Sequence, residues 1–107
     1  MSKTVDSRLE KLEAAIRNQH LVLIKYHDTE RVVAPHALGL GSDKQPLLRV
    51  FQQTEAGAKE GEKWRLFRVD RIQALKVTAQ GFTARPEYQS PDKAFSWVIA
   101  AVKKEGE

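Results

Sequence analysis

The chain has no cysteine among its 107 residues. Disulfide staples, thiolate nucleophiles and cysteine-ligated metal sites are therefore excluded, and a reducing compartment is permitted. Long apolar runs are also missing. The longest, WVIAAV at 97–102, falls far short of the roughly 18 residues a membrane span needs. The opening MSKTVDSRLE lacks the apolar centre of a signal peptide. The expectation is a soluble, cytoplasmic protein with no membrane partner.

Catalytic patterns are equally scarce. His20, His27 and His36 lie seven and nine positions apart, so no helical i,i+4 pair exists to share a metal. No serine sits in a G-x-S-x-G elbow. GLG at 39–41 lacks the rest of both the dinucleotide and the phosphate-loop fingerprints and reads as a turn. Asp28, Glu30 and Asp43 sit in turn signals, with no carboxylate pair set up as acid and base. We expect no metal, no cofactor, no catalytic residue and no enzymatic activity.

What the chain does have is arginine in one region. The net charge is +4 and the pI about 9.5, a mild excess that permits a polyanionic partner without demanding one. Six of the eight arginines (Arg31, Arg49, Arg65, Arg68, Arg71, Arg85) fall between 31 and 85, whereas the lysines are spread along the whole chain. The length suits one domain over 1–107, able to bury about 60–70% of its unfolded surface.

Along the chain, Val5, Leu9, Leu12 and Ile16 make a helical stripe, predicting an amphipathic helix over 4–19 with Ser7 and Glu10 in a capping box. LVLIKY at 21–26 and RVVAPHAL at 31–38 read as strands joined by a turn in HDTE. Pro35 cannot donate to a ladder, so the second strand should end, kink or lie at an edge there. A turn at 39–46 precedes a strand over 47–53, and TEAGAKEGEK at 54–63 reads as a mobile connection. Strands WRLFRVD and IQALKVT follow, with barrel strands expected over 21–78 in all. The extension from 81 to 105 should end in a helix that starts near Ser90 and Pro91, with Phe95, Val98, Ile99 and Val102 as its apolar stripe. The order of helix, five short strands and helix predicts an α+β, mostly β domain: a strongly bent antiparallel sheet or barrel with helices packed on it.

The stretch KWRLFRVDRI at 63–72 raises a specific problem. Leu66 and Phe67 are adjacent, so the apolar residues do not keep one parity. Either both faces of this strand are partly covered or it bends at a bulge. Arg31, Arg49, Arg65, Arg68 and Arg71 all fall on predicted strands or strand ends, and guanidinium forks bind phosphate bidentately and stack on bases. Two roles stand for them: a ligand patch on one rigid wall, or structural ion pairing, for which Asp70 is a local partner. Tyr26, Phe51, Trp64 and Phe67 are interleaved with them, either as stacking groups or as core, and Tyr26 is the one expected to be reachable.

Arg65, Phe67, Arg68, Asp70, Arg71 and Ile72 match an Arg-x-Phe-Arg-x-Asp-Arg-Ile signature, and Arg31, Pro35 and Leu38 match an Arg-x-x-x-Pro-x-x-Leu element. With the helix, LIKY and LLRVF, residues 10–78 resemble the WYL domain family of bacterial and phage regulators. That resemblance implies a small SH3-like or Sm-like barrel of about five strands with N-terminal and C-terminal helices. It further implies a transcription-regulation or effector-linked module that senses nucleic-acid or nucleotide ligands. Its basic patch would comprise Arg31, Arg65, Arg68 and Arg71, with Arg49 beside them. The chain departs from the family where Trp-Tyr-Leu is replaced by Pro46, Leu47 and Leu48. If the missing aromatics contact ligand, stacking is lost; if they pack, Leu47 substitutes. No helix-turn-helix precedes the domain, so it is not expected to act on a promoter alone. The expected partner is single-stranded nucleic acid or a nucleotide, held by those arginines with Tyr26 or His36 reaching a base. The alternative is a protein-interaction module that docks on an effector protein or forms a homo-oligomer.

Overall fold

A computed structural model describes residues 3–55, 63–88 and 92–102. The first element is α1 (Lys3–Asn18). It packs Leu9, Leu12, Ala15 and Ile16 onto a sheet, with Leu12 and Ile16 fully buried. The Val5 side chain of the expected stripe lies outside the described residues. Gln19 ends the helix at φ 53. Its backbone carbonyl accepts the Phe82 N–H at 2.8 Å, and its side-chain amide donates to the Phe82 carbonyl at 3.2 Å.

Two strands then form the expected hairpin, β1 (His20–Tyr26) and β2 (Thr29–Leu40). Tyr26 pairs with Thr29 across a two-residue turn in which His27 and Asp28 both have positive φ. That is the mirror-image turn whose twist suits a hairpin, here built without glycine. Gln73 offsets the strain by accepting the Asp28 N–H at 2.6 Å and donating to the Asp28 carboxylate at 2.8 Å. The remaining elements are β3 (Pro46–Glu55), β4 (Lys63–Arg68), a 3-10 turn at Val69–Arg71, β5 (Ala74–Gly81) and β6 (Trp97–Ala101).

All strand pairings are antiparallel, in the order β4-β3-β2-β1-β5, with β6 branching from β2. The strand β2 carries this branch. Its first half pairs with β1 up to Val33, and its second half pairs with β6 from Ala37 onward. Pro35 sits between those two partners, where no ladder needs its missing N–H, and the register against β3 shifts between Pro35 and Ala37. The strand does not end at Pro35, and the proline is accompanied by the register irregularity just after it.

Two expectations are corrected. Residues 97–101, placed on a C-terminal helix, form a strand. The run WVIAA is aromatic and β-branched, and short apolar runs fit either period. An available edge on β2 decides the outcome. The proposed helix start at Ser90 and Pro91 and its end at 103–106 lie outside the described residues, as does 56–62 of the charged connection. Secondly, the sheet is not closed into a barrel. Among the described residues no pairing joins β4 to β5. Instead α1 touches β1, β2, β5, β6 and the 3-10 turn, so a helix fills the space between the two ends of the sheet.

Gly39 is where β6 comes closest to β2. A Cβ there would collide with the Trp97 carbonyl oxygen and lie 2.9 Å from the Phe95 ring. Gly39→Ala should therefore push β6 or Phe95 away and destabilise the domain by about 1–3 kcal/mol. A lowered urea midpoint at unchanged slope is the expected readout, and an unchanged midpoint would show that the close approach is not needed.

Candidate ligand-binding face

The unbroken register between β3 and β4 answers the problem of KWRLFRVDRI. Leu48 pairs with Phe67 and Val50 with Arg65, whereas Leu47 pairs with Arg68 and Arg49 with Leu66. Alternation along the strand therefore sends Arg65 and Phe67 to the helix side of the sheet, and Trp64, Leu66 and Arg68 to the other side. Phe67 is buried and Leu66 is 39% exposed. Both faces are partly covered, as one of the two readings required: Phe67 joins the main core on one, and Trp64 packs against Phe82 and Tyr88 on the other.

The five arginines consequently do not share one wall. Arg31 is buried on the helix side; it donates to Gln52 Oε1 at 2.9 Å and lies over the Phe67 ring at 5.5 Å. Lys63 pairs with Gln52 across the strands, and Arg65 is the next residue on that face, between Lys63 and Phe67. Arg31 and Lys63 thus flank a buried glutamine at one end of the sheet, with Arg65 two residues on along the same face of β4. On the opposite face Arg49 forms a fork with Asp92 at 2.6 and 3.3 Å. Arg68 forks with Asp70 at 3.2 and 3.0 Å. Arg71 ends the 3-10 turn and is exposed. Gln52 and Lys63 were not singled out from the sequence, because neither belongs to the arginine pattern.

Tyr26, expected to be reachable, is 8% exposed. Its ring stacks on Phe67 at 4.4 Å, and its hydroxyl accepts the Arg68 N–H at 3.4 Å. His36 is fully buried in an aromatic cluster, with ring centroids 4.8 Å from Trp64, 5.3 Å from Phe82 and 5.4 Å from Tyr88. Phe51 joins the same cluster through Trp64 at 5.2 Å, and the Arg85 guanidinium lies 4.0 Å from its ring centre. No local signal marks this assembly, because its members come from β2, β3, β4 and the extension.

Several charges are shifted by these contacts. The hydrogen bonds that Arg68 donates to the Asp70 carboxylate raise the Arg68 pKa. Burial pushes the Asp92 carboxyl up, but the Arg49 fork and the Ala94 N–H outweigh it and hold the group below its ordinary value. Burial, reinforced by Asp92, pushes Tyr88 up to about 12. Among the described residues no group of three or more acidic or histidine side chains could hold a metal, and no helix is long and apolar enough to cross a membrane.

A protein-family model describing the WYL domain matches residues 7–77. The chain belongs to the WYL domain family. Neither a curated protein nor a solved structure matches it. WYL domains are generally regulatory, ligand-sensing modules, and the match runs from within α1 to the middle of β5. It stops before the extension that brings Tyr88, Asp92 and β6 onto the sheet.

His36 fixes that extension in a way that depends on pH. Its Nδ1 donates to the Ala34 carbonyl at 2.8 Å, and its Nε2 accepts the Arg85 backbone N–H at 3.1 Å. Only the neutral ring can make both bonds. Burial lowers the His36 pKa, the Ala34 bond opposes this, Arg85 lowers it further and Glu87 raises it. Because the folded value lies below the unfolded value of about 6.5, the unfolded chain binds more protons between the two. Stability should be complete above pH 6.5 or so and decline below it, by at most about 1.4 kcal/mol per pH unit. Urea titrations from neutral to acid pH on wild type and His36→Gln should show the decline in the first and a flatter profile in the second. Equal profiles would remove His36 as the cause.

Proposed function

We propose that the chain is a non-enzymatic, ligand-sensing WYL domain. Its ligand is anionic, single-stranded nucleic acid or a nucleotide, and binds where β4 borders the helix side of the sheet. The observation that carries this reading is the grouping of Arg31, Lys63 and Arg65 around Gln52 on one stiff face. Guanidinium and ammonium groups held by strands present donors to phosphate oxygens with little ordering cost, and buried Gln52 holds Arg31 in position beside them. Arg71, exposed at the end of the 3-10 turn, follows on the same chain segment, so a strand of several nucleotides could reach it, whereas Arg68 points to the opposite face. Arg49 has a different role, since its fork is taken up by Asp92. Tyr26 and His36 support the site from within the core and do not stack on a base.

Fluorescence anisotropy with labelled single-stranded RNA, single-stranded DNA, duplex and a nucleotide, repeated over a range of salt, tests this proposal. Single strands should bind with a log–log salt slope of about −0.7 per phosphate contacted. The double variant Arg65→Ala, Arg71→Ala should lose roughly tenfold or more in affinity and flatten the slope by about 1.4, with its unfolding midpoint retained. Unchanged affinity in that variant would rule out the assigned site. Absence of binding to every anionic probe would rule out the ligand class.

A further inference from the structure

The least protected surface among the described residues is the outer edge of β6. Among the described residues this strand pairs with β2 alone, so its second edge carries no ladder. On it Trp97 is 68% exposed and Val98 42%. A large aromatic on an open strand edge invites another strand, and monomeric domains normally blunt such edges with charge, proline or a bulge. Immediately beside it lies an open cavity of about 490 Å³ between the end of α1 and β6, lined by Ile16, Arg17, Gln19, Ala100 and Ala101.

We propose that β6 is a dimerisation strand: it pairs antiparallel with β6 of a second copy of this chain, and Trp97 of each copy enters the α1–β6 cavity of the other. The sequence of the strand argues for a second copy over a foreign partner. Read about Ile99, WVIAA is large at one end and small at the other. Antiparallel pairing centred on Ile99 sets Trp97 of one copy opposite Ala101 of the other, and Val98 opposite Ala100. Knob and hole then lie on the same surface and satisfy each other through one two-fold axis, which closes the assembly at two copies. The Arg17 guanidinium in the cavity wall is suited to lie against an indole face.

Two tryptophans, two valines and two strand edges would bury on the order of 1,000 Å², close to the lower limit for a specific interface, so association should depend on protein concentration. This surface is on different strands from the basic face, so the outcome of the anisotropy experiment does not bear on it.

Size-exclusion chromatography with light scattering, run on the whole chain from about 5 to about 500 μM, tests the proposal. The mass should rise from 12.1 kDa toward twice that value. Trp97→Lys and Val98→Lys, both at exposed positions, should keep the wild-type circular dichroism and thermal midpoint while weakening association by about 100-fold or more for the tryptophan variant. A mass of 12.1 kDa at every concentration would overturn the dimer. So would a species larger than two copies, which a closed two-fold does not allow. Undiminished association in both variants would overturn the surface.

Discussion

The bend in β2 at Pro35 and His36 is the constraint on which the rest of the structure depends. A twelve-residue strand with three neighbours cannot satisfy all of them while straight. Proline supplies the break, because it has no N–H to waste and sits between the end of the β1 ladder and the start of the β6 ladder. The register shift that follows places His36 among Trp64, Phe82 and Tyr88. Its carbonyl accepts the Val102 N–H at 2.8 Å. One local irregularity thus splits the sheet, seats the aromatic cluster and anchors the chain just beyond β6.

That constraint also separates what could be read from the sequence from what could not. The hairpin at His27–Asp28 and the strands around it were legible because their signals are local: alternation, β-branched residues and a turn between them. The helix period of α1 was equally plain. The nature of residues 97–101 was not, since Val98, Ile99 and Val102 fit a helical stripe as well as a strand. The deciding fact lies about sixty residues earlier, in a glycine that leaves room for β6. Barrel closure was likewise invisible locally, because it depends on whether α1 or a strand-to-strand ladder occupies the gap between the sheet ends.

The arginines show the same limit in electrostatic form. Clustering along the chain suggested one basic wall, but alternation in β4 divides neighbours between two faces, and the partners that claim them are distant in sequence. Asp92 reaches Arg49 from 43 positions away. The Arg68–Asp70 fork was visible as a nearby pair, and both its side chains are about one-third exposed. Exposed pairs of that kind contribute about 1 kcal/mol or less and are screened by salt, so Asp70 does not prevent Arg68 from exchanging its carboxylate for a phosphate. The Arg49–Asp92 fork is different, because the Asp92 side chain is 9% exposed and separating the pair would strand charge in a dry setting.

The departure from the family at Pro46, Leu47 and Leu48 can now be interpreted physically. Leu48 is fully buried on the helix side, opposite Phe67, so the leucine shared with the family is a core residue. Pro46 opens β3 opposite Leu40 and is itself buried. Leu47 lies on the opposite face from Arg31, Lys63 and Arg65, with its Cδ1 only 3.0 Å from where a Cβ on Gly41 would stand. It packs against the turn leading out of β2, on the side of the sheet away from the basic group. An aromatic ring at Leu47 would therefore meet Gly41 and Arg68 before it met anything bound beside Gln52. Replacing that ring with leucine changes the packing of the β2–β3 turn and does not alter the side chains of the helix side, Arg31, Lys63 and Arg65.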